Sequence, residues 1–166
     1  MKHLDYSHMA GGLVRMMDRF KEEGTLTGDA AEDAYVSADP NAALLGLLYD
    51  QRVRAEYAFM GPKRLHDKLG HLDMAKIAAH NDEKFRALFA EQPAVHRFTN
   101  KMADTTQAVA KIIAEEYNGD ASGIWSDGAD FDTIKKRIKA LPGFGAQKAE
   151  KMRYVLHYFG FRDMAE

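Results

Sequence analysis

Apolar residues recur every three or four positions along most of this chain, which is the period of an amphipathic helix. In residues 6–23 the apolar positions Met9, Leu13, Met16, Met17 and Phe20 keep that spacing, Gly11-Gly12 weakens the middle, and Gly24 ends the run. Residues 24–37 are polar and turn-rich, the pattern of a linker or irregular entry. Asp39-Pro40 then reads as an N-cap followed by proline at the first helical position. The helix it opens, residues 41–59, is apolar almost all round from Ala42 to Tyr49, which predicts a central, buried helix. Gly61-Pro62 starts a short helix that Gly70 stops, and residues 72–79, 82–90 and 100–117 carry further helical patterns. Residues 118–128 form a Gly/Asp/Ser-rich loop around the single tryptophan, Trp125. No alternating strand, internal repeat or low-complexity tract interrupts this. The expected fold is all-α, a two-lobed bundle of about eight to ten helices. Residues 1–37 supply an N-terminal helix and linker, and residues 38–166 one compact helical unit.

Near the C-terminal end the helical pattern is broken by Leu141-Pro142-Gly143-Phe144-Gly145. Ile134, Ile138 and Leu141 precede this turn, and Ala149, Met152, Val155, Leu156 and Phe159 follow it, both at helical spacing. Two helices joined in this way, over residues 131–158, form a helix-hairpin-helix. Pro142 ends the first helix because it lacks a donor and restricts the residue before it. Gly143 and Gly145 permit positive φ and leave no Cβ in the way of an approaching group. The free N–H groups of the second helix then face outward at the positive end of its dipole, an anion site that fits a DNA phosphate.

The 166 residues contain no cysteine, so disulfides, thiolate nucleophiles, Cys-ligated zinc and iron–sulfur clusters are excluded, and a reducing compartment fits. The opening Met1-Lys2-His3-Leu4-Asp5-Tyr6 has no apolar run of a signal peptide, and nothing approaches the roughly 18 consecutive apolar residues of a membrane span. A soluble, cytoplasmic protein is the expectation, with no membrane partner. The net charge of −2 argues against a generic nucleic-acid coat. Its distribution does not: residues 132–153 hold seven Lys and Arg against Asp132 and Glu150, a net +5, so the rest of the chain carries −7. A second basic cluster comprises Arg52, Arg54, Lys63, Arg64 and Lys68. Lysines on helices are usually solvated surface, but charge concentrated around a phosphate-shaped turn points to a DNA-facing side.

Three segments carry a family resemblance: Leu44-Leu45-Gly46-Leu47-Leu48-Tyr49-Asp50-Gln51; Phe59-Met60-Gly61-Pro62-Lys63-Arg64-Leu65 with Leu69-Gly70; and Tyr117-Asn118-Gly119-Asp120 through Ile124-Trp125 to the hairpin. Together, in this order, they resemble the helix-hairpin-helix DNA glycosylase superfamily of base-excision repair, in a small bacterial branch. The resemblance covers residues 39–159. The hairpin alone is less specific, since polymerases, ligases and nucleases also carry it. What the resemblance implies is a monomeric protein that binds double-stranded DNA, extrudes a damaged, alkylated base into a pocket and hydrolyses its N-glycosidic bond. Gly143, Phe144 and Gly145 would hold a phosphate, with Gln147, Lys148 and Lys151 beside it. Gln51 matches a glutamine that enters or lines the DNA at the lesion; as an isolated residue it reads equally as a partly exposed helix position. No cofactor is required, but the carbonyls of Lys139, Leu141 and Phe144 would correspond to a Na+ or K+ site.

The catalytic positions depart from the family. Bifunctional members carry a lysine six positions after the hairpin leucine, where this chain has Gln147. Lys148 follows about 100° further round the helix, so a Schiff-base lyase is not expected. The family aspartate falls at Ala165; Asp163, the nearest aspartate, falls short of that position, and near a terminus it reads more often as a frayed surface residue than as a catalyst. Asp50 is the other carboxylate candidate; its plainer reading is an ion pair with Arg54 at i+4. The seven histidines show no metal-ligand spacing, and Ser126, Asp127, Asp130 and Asp132 lack the order of a calcium loop. Trp125, Tyr57, Phe59, Tyr154 and Tyr158 read as pocket walls or as core. A DNA-binding module without catalysis, and a helical domain used for protein contacts, are the alternative functions.

Overall fold

The order of helices follows from where polar side chains satisfy helix ends and where apolar faces must be covered. A computed structural model describes residues 2–165, and all its regular structure is helical. The α-helices are α1 (Gly12–Glu23), α2 (Ala30–Ala38), α3 (Pro40–Tyr49), α4 (Ala55–Phe59), α5 (Gly61–Leu69), α6 (Met74–Ala79), α7 (Asp82–Ala90), α8 (Thr99–Glu116), α9 (Phe131–Lys139) and α10 (Ala146–Tyr158). One 3₁₀ turn, Ala121–Ile124, precedes α9. No described helix is long and apolar enough to cross a membrane.

α3 is the hub. Asp39 accepts the Asn41 N–H, Pro40 opens the helix, and every residue from Ala42 to Tyr49 is buried. α2, α4, α5 and α10 pack around it, while α6 and α7 pack on α8. Leu13, Met16, Met17, Leu26 and Val36 belong to the same core, so residues before α3 contribute to it directly.

Three segments differ from the helical pattern. Residues 6–11 are not helical; the backbone at Gly11 has φ 107, and α1 begins only at Gly12. Residues 24–37, expected as a linker, contain α2. Asp29 caps it through Ala31 and Glu32 N–H, and Asp33 gathers the N–H groups of Leu26 and Thr27. These Asp and Thr residues act as caps rather than as marks of irregularity. The long helix over 41–59 is broken at 50–54, where Arg52 adopts φ 55. Distant side chains make the break affordable by taking the last carbonyls of α3: His96 Nε2 donates to Tyr49 O at 2.9 Å and Lys148 Nζ to Leu48 O at 2.9 Å.

The N-terminal helix is fastened by charge. Arg15 donates twice to Glu56 (3.0 and 2.7 Å) and Arg19 once (2.8 Å). The Glu56 side chain is only 11% exposed, and this pairing, Arg15 first, holds its carboxyl down to about 2.

Candidate nucleic-acid interface

The turn between α9 and α10 has the geometry its residues demand. The Leu141 carbonyl accepts the Phe144 N–H at 3.3 Å, with Pro142 at the second position and Gly143 at the third, φ 85. That is a type II turn, which requires positive φ at the third position. A Cβ on Gly143 would stand 2.6 Å from Leu48 Cδ1 and 2.8 Å from Thr105 Cγ2, so this glycine lets the turn seat on α3 and α8. Gly145 is different. Its backbone is extended, φ −90 and ψ −178, and an added Cβ would meet nothing within 4 Å. The two glycines of the motif therefore have separate roles, one packing the turn and one leaving its outer face open.

Gly145 is the N-cap of α10 and offers no side chain to the helix. No acidic residue lies in the first turn, and Gly145, Ala146 and Gln147 are exposed. The first N–H groups of a 13-residue helix thus reach solvent at its positive end. Phe144 is buried beneath the turn, 5% exposed, so its backbone alone faces this site.

Behind the helix start lies a group of charged side chains brought together from two distant segments. Lys148 is half-buried; besides Leu48 O, its Nζ approaches Gln51 Oε1 at 3.4 Å. Burial lowers the Lys148 ammonium below the usual lysine range, against the pull of Asp50. Asp50 is 11% exposed, and Lys151 Nζ stands 3.9 Å from its Oδ2. Burial pushes the Asp50 carboxyl up; Lys151, Lys148 and Arg15 pull it back down, in that order, and Glu56 adds to the rise. The i+4 pair with Arg54 does not form: Arg54, 72% exposed, lies instead 3.6 Å from Glu56. Asp50 ends α3 as its C-cap, so it points into the helix break and not along a helix face.

Asp163 is elsewhere. Half exposed, it lies 3.6 Å from His157 Nδ1 and accepts the Ala165 N–H. His157 is nine residues beyond Lys148, about 13 Å along α10 at 1.5 Å per residue. The two carboxylates therefore sit at opposite ends of α10, and only Asp50 is beside the hairpin start.

The basic stretch is less free than its composition suggests. Lys135 pairs with Glu150 at 2.9 Å, Arg137 with Asp127 at 3.0 Å, and Arg153 stacks over Phe131 at 4.9 Å. Lys136 and Lys139 are exposed, as are Arg52, Arg54, Arg97 and Lys101 nearby in the chain order of the α3–α4 break and the start of α8. In the second cluster, Arg64 is spent on Tyr57 O and Val95 O and stacks on the Tyr57 ring at 3.8 Å.

A cavity of about 130 Å³ opens where the turn meets α3 and α8, lined by Leu48, Gln51, Phe98, Lys101, Met102, Thr105 and Gly143. Phe98, Lys101 and His96 carried no signal in the sequence beyond a cation near an aromatic residue. The aromatic candidates divide clearly. Trp125 is buried against Phe161, Phe59 against Phe159, and Tyr154 and Tyr158 hold the N-terminal segment. No group of three His, Asp or Glu among the described residues is placed to hold a metal ion.

No family model, curated protein or solved structure matches this chain.

Proposed function

We propose that this protein is a monomeric, cytoplasmic DNA-binding protein of the helix-hairpin-helix glycosylase type that hydrolyses the N-glycosidic bond of a damaged, alkylated base in duplex DNA. One observation carries the reading: the helix whose exposed, uncapped start offers free N–H groups, α10, also carries Lys151, which stands 3.9 Å from a nearly buried carboxylate, Asp50. The N–H groups suit a backbone phosphate, which fixes register without reading sequence. Glycosidic cleavage builds positive charge on the sugar, and a carboxylate nearby stabilises it or takes the proton of the attacking water. Asp50 is the carboxylate suited to that role; Lys148 positions Gln51 and ties the hairpin to the end of α3. The monomer reading is supported by the surface, where Tyr57, at 37% exposure, is the one large exposed apolar residue among those described.

The carbonyls of Lys139, Leu141 and Phe144 are neutral oxygen donors of the kind a monovalent cation takes. The Leu141 oxygen keeps one lone pair after accepting the Phe144 N–H, which leaves it free to take part in such a site. Such an ion would neutralise phosphate charge at the turn.

The test is release of an alkylated base from a duplex, with binding followed by anisotropy. Asp50→Asn is expected to abolish release and keep binding, while Asp163→Asn keeps both. Release unchanged by Asp50→Asn removes Asp50 from the chemistry. A second reading, duplex binding without catalysis, is favoured by Asp50 being held between lysines and by Ala165 at the family aspartate position. Binding by wild-type protein with no release from any alkylated duplex selects it.

A further inference from the structure

His96 is wholly buried and joins two segments that meet at the helix break. Its Nε2 donates to Tyr49 O at 2.9 Å, and its Nδ1 accepts the Phe98 N–H at 3.1 Å. These partners fix the ring as neutral, with its one proton on Nε2. The next residue adds a stitch to the same break: Arg97 Nη1 donates to Arg52 O at 3.3 Å. The Phe98 ring lies 5.4 Å from the imidazole, and Phe98 lines the 130 Å³ cavity together with Gln51, Lys101 and Gly143. The chain is anchored on both sides of this stretch. Val95 is buried and gives its N–H to Phe89 O at 3.0 Å, and Thr106 of α8 shares a 2.9 Å hydrogen bond with the Tyr49 hydroxyl. Between these anchors, His96 and Arg97 fasten the chain to the break.

A second proton on the ring goes to Nδ1, where it meets the Phe98 N–H, donor against donor. We infer that His96 is a proton-released latch: neutral, it holds Arg97, Phe98 and Lys101 against the break and the hairpin turn; protonated, it lets them go, so that the protein holds duplex DNA at neutral pH and releases it in acid. This rests on the DNA reading above and adds its regulation. Two exposed cations, Arg97 and Lys101, are what the latch keeps in place, and a phosphate strand loses both when it opens. The surrounding charges suit a switch. Tyr49 of α3, Lys148 of α10 and Arg64 of α5 face the ring, with Arg97 next to it in the chain. Burial holds the imidazole below the usual histidine range; Tyr49 O pulls it up, Lys148 and Arg64 push it down, and the Gln51 carbonyl adds the smallest pull up. Asp50, adjoining Tyr49, is opposed by Lys151 at 3.9 Å. The opened ring meets water and takes its proton at the usual value, so falling pH favours opening. His157 differs. It has the same bonding, Nε2 to Lys2 O at the start of the strap formed by residues 2–10 and Nδ1 from the Met164 N–H. Asp163 stands 3.6 Å from that Nδ1, so protonation there exchanges one partner for another.

The test uses the whole chain at fixed salt, from pH 7.5 to 5.0. Nitrogen NMR follows the wild-type imidazole of His96 and the Phe98 amide. Anisotropy follows duplex binding by the wild type and by His96→Gln, whose side chain keeps a donor for Tyr49 O and takes no proton. The expected ring carries its proton on Nε2 at pH 7.5, and the Phe98 amide shifts as the ring titrates. Wild-type affinity is expected to fall at least fivefold from pH 7.5 to 5.0, and that of His96→Gln to change less than twofold. A proton on Nδ1 at pH 7.5, a ring still neutral at pH 5.0, or a Phe98 amide unmoved by the titration overturns the latch, even where the variant fails to fold. Equal falls in both proteins overturn its control of binding and leave the DNA reading standing. No duplex binding by the wild type at any pH removes the DNA reading and the release with it, while the ring spectrum still shows whether His96 opens.

Discussion

Gly143 and Gly145 look alike in a motif but answer to different forces. Gly143→Ala forces a Cβ into Leu48 and Thr105 at a backbone φ of 85, so it is expected to destabilise the protein by about 2–3 kcal/mol in chemical denaturation. Gly145→Val meets open space and extended backbone. It is expected to change stability by less than about 0.5 kcal/mol and to weaken duplex binding for all sequences alike; unchanged binding in anisotropy takes the hairpin out of the interface. Asp50 has its own signature. Its carboxyl is raised in the folded state, chiefly by burial, so the fold favours the protonated form and loses that advantage as pH rises through the raised value. Asp50→Asn is therefore expected to melt higher than the wild type at neutral pH. The gap should close as pH falls towards the usual carboxylate range. A lower melting temperature at neutral pH would show that the lysine contacts outweigh the burial.

At the scale of elements, the α1–α4 junction depends on one carboxylate shared by Arg15 and Arg19. Glu56 is held down to about 2 from a usual 4.5, so its stabilisation is present above pH 4.5 and is lost as pH falls towards 2. Glu56→Gln strands two arginines and is expected to cost about 3 kcal/mol at pH 7. That corresponds to roughly 6–12 °C in melting temperature for a chain of this length, and the difference should vanish near pH 2. The α9–α10 pair makes a contrasting prediction about charge. Lys139 is exposed, whereas Lys135 is engaged by Glu150. Lys139→Ala should make the dependence of log binding on log salt shallower by about 0.9, one phosphate contact. Lys135→Ala should leave it nearly unchanged.

At the scale of the whole molecule, both ends of the chain meet on α10. His157 holds Lys2 O through Nε2 and takes the Met164 N–H on Nδ1, so one side chain joins the two terminal segments. Leu4 and Tyr6 join the core from the strap, and α1 and α2 add Leu13, Met16, Met17, Leu26 and Val36. A chain shortened to residues 38–166 uncovers the faces these residues bury. It is expected to show lost near-ultraviolet dichroism and dye binding typical of a loosened core. A sharp cooperative melt of that fragment would show that the N-terminal segment is dispensable for folding.

Helices were legible in this sequence wherever a cap and an apolar stripe coincide, as at Asp39-Pro40, Gly61–Leu69 and Asp82–Ala90, because those signals are local. The Pro-Gly turn was legible for the same reason: its backbone angles follow from its own residues. The break at 50–54 was not, since it depends on His96 and Lys148, which lie 47 and 100 residues away from the carbonyls they take. The candidate carboxylate was named by sequence only as one of two. Nothing in the spacing of Asp50 and Asp163 says which lies beside the hairpin. Only the packing of α10 against the end of α3 decides it, because burial and opposing charge belong to the assembled molecule and not to either segment alone.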